Sequence, residues 1–100
     1  MKNSDDFFDG DITAAATLMK MLASEARLQI LCRLAEGERS VGDLAQACGV
    51  SQPTMSQQLT RLRKADLVEG RRAGQTIYYR IKGAEVAAVL ETLHRLYCAR

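Results

Sequence analysis

The sequence predicts a mainly α-helical, α+β domain made of four helices, a small β-hairpin and a last helix, and three observations predict it. Apolar residues recur at three- and four-residue spacing over most of the chain. The spacing changes to strict alternation only between residues 67 and 81. Finally, 100 residues that are 47% hydrophobic suffice for one packed core and no more, and so short a chain often gains stability by association.

Each element has its own signal. Ile12, Ala15, Leu18 and Leu22 share one helical face, which predicts a first helix over 12–22. Ser24 is placed to cap a second helix over 25–35, with Glu25 at its positive end and Gly37 as its stop. Ser40 and Asp43 have the spacing of a capping box and open a short helix over about 41–47. Gly49 supplies a left-handed turn, and Ser51 with Pro53 in the first turn starts a fourth helix over about 52–65, whose buried stripe is Met55, Leu59 and Leu62. Ile77, Tyr79 and Ile81 alternate with polar neighbours and find a partner strand in residues 67–69, across a loop holding Arg71, Arg72 and Gly74. A last helix begins at Gly83, with Val86, Val89, Leu90, Leu93, Leu96 and Tyr97 on one stripe.

Composition excludes several classes. Apolar runs are a few residues long, against roughly 20 for a bilayer span, so no membrane association is expected. Residues 1–11 carry four Asp and one Lys, the reverse of a secretory signal; they are expected to form a mobile acidic leader, with 12–100 as a single domain in the cytoplasm. Cys32, Cys48 and Cys98 cannot all pair within one chain and lack Cys-x-x-Cys spacing, so no disulfide framework is expected. No set of residues resembles a catalytic constellation, and the chain is read as a non-enzyme.

The function lies in the middle of the chain. A short helix, a glycine turn and a polar-faced helix form a helix-turn-helix, with Ala45 small at the helix crossing, Gly49 at the turn and Met55 as apolar plug. Residues 61–82 hold seven of the 14 cations and net +5. The polar face of the fourth helix offers Ser51, Gln52, Thr54, Ser56, Gln57, Thr60 and Arg61 to base edges and phosphates, with Arg63 and Lys64 reaching the backbone. Arg71 and Arg72 at the hairpin tip, supported by Arg80, would reach an adjacent phosphate or the minor groove. Any one polar helix face is usually only solvated; register, cation cluster and hairpin together predict a winged helix-turn-helix on double-stranded DNA. Leu18, Leu22, Val86, Val89, Leu90, Leu93, Leu96 and Tyr97 on the terminal helices are expected to form a homodimer interface across a twofold axis.

The segments Leu22–Leu31, Ser40–Leu44 and Ser51–Leu59, and the wing segment Gly70–Tyr79, resemble the ArsR/SmtB family of winged-helix repressors over about residues 12–98. The resemblance implies a homodimeric repressor that leaves its operator when an inducer binds or reacts. Many members sense metals through a Cys-x-Cys pair on the third helix or several ligands on the last helix. Here the matching residues are Val41-Gly42-Asp43 and the chain has one histidine, His94, so neither a metal nor a cofactor is expected. Cys32 in the second helix and Cys98 in the last match the redox-sensing thiols of the persulfide-sensing, BigR/SqrR-like branch. That match implies bridging by low-molecular-weight persulfides or polysulfides, or by oxidants, with loss of repression. Cys98, where His94, Arg95 and Arg100 offset the negative helix end that disfavours a thiolate, is expected to react first and Cys32, in an apolar setting, to resolve. A metal(loid)-responsive repressor and a constitutive repressor with structural cysteines stay open as alternatives. Cys48 reads as a small core residue.

Overall fold

A computed structural model describes residues 8–98 of the chain. The order is α1 (Ile12–Leu22), α2 (Glu25–Ala35), β1 (Arg39–Ser40), α3 (Val41–Cys48), α4 (Gln52–Lys64), β2 (Val68–Ala73), β3 (Thr76–Ile81) and α5 (Ala84–Tyr97). This is the expected winged helix-turn-helix, with the helix limits predicted to within a residue or two. Most of the expected leader, and Arg100, lie outside the described residues.

Local chemistry sets the helix ends. The side chains of Asp11, Ser24, Ser40 and Ser51 each accept the backbone N–H three residues on, at 2.9 to 3.3 Å, satisfying donors that a helix start leaves open. At the other end of α1, Arg27 reaches back from α2: its Nε donates to the Met21 carbonyl at 2.8 Å and its Nη2 to that of Lys20 at 3.2 Å. One guanidinium therefore closes α1 and sets its angle to α2. Two left-handed residues stop the helices of the central unit. Gly49, at φ 70°, ends α3 with the Val50 N–H donating to the Ala45 carbonyl. Asp66, at φ 67°, ends α4, and its carboxylate takes a 2.7 Å bond from Lys82.

The sheet corrects the predicted hairpin twice. It has three antiparallel strands in the order β1-β3-β2, with Arg39 opposite Tyr79 and Ser40 opposite Tyr78. β1 is two residues long, too short to show any alternation. Second, β2 extends to Ala73, so Arg71 and Arg72 lie in paired strand opposite Tyr78 and Ile77, and the tip is Gly74-Gln75. Gly70 makes this possible, since a Cβ there would lie 3.0 Å from Cε1 of the buried Tyr79 ring.

The core gathers Ile30, Leu31, Leu44, Met55, Leu59 and Leu62 between α2 and the helix-turn-helix, closed by Val68 of the wing. It also takes three residues expected at the dimer interface. Leu22, Val86 and Leu90 are 8%, 1% and 3% exposed within the single protomer, because α1 and α5 each pack on α2. Leu18, Val89 and Leu93 are half-buried, while Leu96 and Tyr97, past the end of the core, are 69% and 81% exposed alongside Ile12 and Met19 of α1.

Candidate functional site

The DNA-reading unit is α3, its turn and α4. Ala45 and Met55 are buried where the two helices cross, and Gly49 has the left-handed conformation the turn requires. With Met55, Leu59 and Leu62 turned inward, helical periodicity sets Thr54, Gln57, Arg61 and Lys64 on the opposite, outward face. Gln52, Ser56, Thr60 and Arg63 form a flanking row, of which Thr60 is half-buried and the others exposed. Two members of the predicted set have local duties as well. Ser51 Oγ accepts the Thr54 N–H and lies 3.0 Å from Thr54 Oγ1, and Gln52 Nε2 lies 3.5 Å from where a Cβ on Gly42 would sit, so that side chain leans on α3. Sequence reasoning passed over Gln58, whose Oε1 is sealed from solvent with no hydrogen-bond partner among the described residues. Its one legible signal is its position beside Leu59 on the inward flank.

The cations divide into two groups. Arg71 donates from Nε to Glu38 Oε2 at 3.0 Å and from Nη2 to Oε1 at 2.8 Å, and its guanidinium stacks 4.8 Å from the Tyr78 ring centroid. The hydrogen bond from Arg71 holds the Glu38 carboxyl below the usual glutamate value. Arg80 pairs at 2.7 Å with Glu69, its cross-strand neighbour on β2. By contrast Arg61, Arg63, Lys64 and Arg72 make no ion pair among the described residues. Glu38 carried no sequence signal, because it lies 33 residues from its partner.

Cys32 and Cys98 line one groove of 740 Å³ between α2 and α5, over an apolar floor that includes Leu28, Leu34, Ile81 and Leu90. Both are exposed, and all three cysteines are thiols. Desolvation by the groove raises the Cys32 pKa, and the nearby charges of Cys98 and Glu36 raise it further. Glu36, Glu91 and His94 share the walls, yet among the described residues no cluster of three or more His, Cys, Asp or Glu could hold a metal ion. Cys48 is partly buried against the core and lines a second groove, of 570 Å³, with Cys32 and Arg33.

Residues 24–70 match the arsR family of bacterial regulatory proteins. The transcriptional activator HlyU of Vibrio cholerae is 48% identical over 84 residues, covering 84% of this chain and 78% of that protein. The chain belongs to the ArsR family. Its fold agrees with that of the crystal structure of the transcriptional repressor BigR from Xylella fastidiosa, at a TM-score of 0.86 and 39% identity over 99% of this chain and 100% of that one. It also resembles a homodimeric winged helix-turn-helix DNA-binding domain from Mycobacterium bovis, at a TM-score of 0.76 and 41% identity over 85% of this chain and 79% of that one. As an ArsR-family member the chain is a DNA-binding transcriptional regulator, not an enzyme. None of its helices is long and apolar enough among the described residues to cross a membrane.

Proposed function

We propose that this ArsR-family regulator is a cytoplasmic homodimeric repressor that leaves its operator when Cys32 and Cys98 are bridged by reactive sulfur or an oxidant. The observation that carries the reading is the shared groove, which sets one thiol on α2 and the other at the end of α5 over a common apolar floor. In the first step a thiolate takes the sulfane sulfur of a persulfide RSSH, leaving a protein persulfide and RS⁻. In the second, the other thiolate attacks the protein-bound sulfur, giving a disulfide and HS⁻. If both thiols are persulfidated, they condense to a trisulfide with loss of H₂S. The raised pKa of Cys32 lowers its thiolate fraction and disfavours it as the first attacking thiol, which leaves it the second, intramolecular step.

Bridging would tie α5 to α2, and α2 packs directly on α3 of the reading unit. A dimer must hold its two reading helices about 34 Å apart to fit successive major grooves. A hundredfold loss of affinity takes only about 2.7 kcal/mol of coupling, so a small shift between α5 and α2 suffices. Ser51, Gln52, Thr54, Ser56, Gln57, Thr60, Arg61, Arg63, Lys64 and Arg72 supply the DNA contacts in this reading.

The test uses a duplex selected in vitro on the reduced protein. Treatment with a low-molecular-weight persulfide should lower affinity on the order of 100-fold, with intact mass showing the bridge in the same sample. Cys32→Ser and Cys98→Ser should each stay bound. Release of the doubly substituted protein by persulfide would refute the dithiol switch.

A further inference from the structure

The wing's outer face carries two arginines, and both are matched by carboxylates within the protomer. Arg80 faces Glu69 directly across the β2-β3 ladder. Arg71 is engaged more fully, because its Nε and Nη2 grip both oxygens of Glu38 while the Tyr78 ring covers its plane. Two parallel N–H···O bonds to two oxygens are also how a guanidinium holds a phosphate. One of the two bidentate edges of Arg71 is thus already occupied by a carboxylate.

We propose that Glu38 acts as a built-in phosphate mimic that keeps Arg71 off DNA, leaving Arg72 as the wing's phosphate-binding cation. A phosphate reaching Arg71 must either displace the carboxylate or take the remaining edge of the guanidinium, and in both cases Glu38 stands beside the incoming negative charge. The Arg71–Glu38 pair therefore contributes no net cation to the interface. Strand alternation turns Arg72 to the opposite face from Arg71, and no carboxylate pairs with it among the described residues. Glu38 immediately precedes β1, which pairs with β3, so the mimic is held beside the edge of the wing's own sheet. The pair is exposed, and such pairs contribute little to stability, so Glu38 can be replaced without unfolding the domain. This inference depends on DNA binding alone, not on the thiol switch.

Counterion release separates a neutralised arginine from an active one, since each phosphate neutralised adds about 0.9 to the slope of log affinity against log salt. The reduced full chain and the selected duplex are titrated between about 50 and 200 mM salt by fluorescence anisotropy. Arg72→Gln is expected to lower the slope by about 0.9 per protomer, and Arg71→Gln, which leaves the Glu38 carboxylate uncompensated, to weaken binding. Glu38→Gln is expected to raise the slope by about 0.9 per protomer, so that affinity per protomer falls about 3.5-fold more than in wild type across that salt range. The Glu38→Gln/Arg71→Gln double variant should return to the wild-type slope. A double variant with a flatter slope than wild type, or weaker or unchanged binding for Glu38→Gln, would overturn the proposal.

Discussion

At the scale of single residues, the reading unit rests on a glycine and its apolar neighbours. Gly49 has φ 70°, and a Cβ there would meet nothing within 4 Å, so its side-chain-free state serves the backbone rather than packing. Gly49→Ala should destabilise the protein by about 1–2 kcal/mol in urea unfolding, the cost of a left-handed conformation for an L-residue. It should also weaken DNA binding, because strain there is relieved by moving α3 against α4. Gly70 differs in kind: its Cβ would meet Tyr79 Cε1 at 3.0 Å and Cζ at 3.2 Å, so what it provides is room for a buried ring. The turn role of Gly49 is legible in the sequence, whereas that of Gly70 emerges only from its neighbourhood.

At the scale of elements, the attachment of α1 deserves a direct measurement. Leu22 packs into the core, and Arg27 donates to two of the helix's last carbonyls. Arg27→Ala removes both bonds, leaving the Met21 carbonyl to water and that of Lys20 with the Ala23 N–H. We expect a loss of about 1–2 kcal/mol and faster amide exchange through α1, while exchange in α3 and α4 stays slow, because their bonds and core contacts do not pass through Arg27. Equal acceleration across all helices would show that α1 does not open independently.

At the scale of the whole molecule, the exposed apolar side chains call for a partner surface. Ile12 (63% exposed), Met19, Leu96 and Tyr97 leave α1 and α5 with apolar area that the protomer cannot cover itself. A self-complementary contact between copies would bury it. Sedimentation should therefore report a dimer, and Leu96→Asp should yield a folded monomer, since Leu96 adds nothing to the protomer core. Operator affinity should fall by roughly 100-fold or more once two half-sites no longer bind as one unit. A Leu96→Asp protein that remains dimeric would move the interface away from this end of α5.

The sequence by itself determined the order and limits of the helices, the glycine turn and the inward stripe of α4. Caps, turn residues and periodicity act over three or four positions, so they can be read locally. Segment resemblance pointed to the family and to Cys32 with Cys98. Only the tertiary structure decided how the apolar stripes of α1 and α5 divide between core and exterior, since spacing fixes a face but not what covers it. It also decided which wing arginines are already neutralised. Arg71 and Arg72 are adjacent and chemically identical, and what distinguishes them is a carboxylate 33 positions away that the fold brings within 2.8 Å of one alone. Charge pairing across such a separation is a property of the folded chain, because electrostatic contact depends on distance in space and no local pattern encodes it.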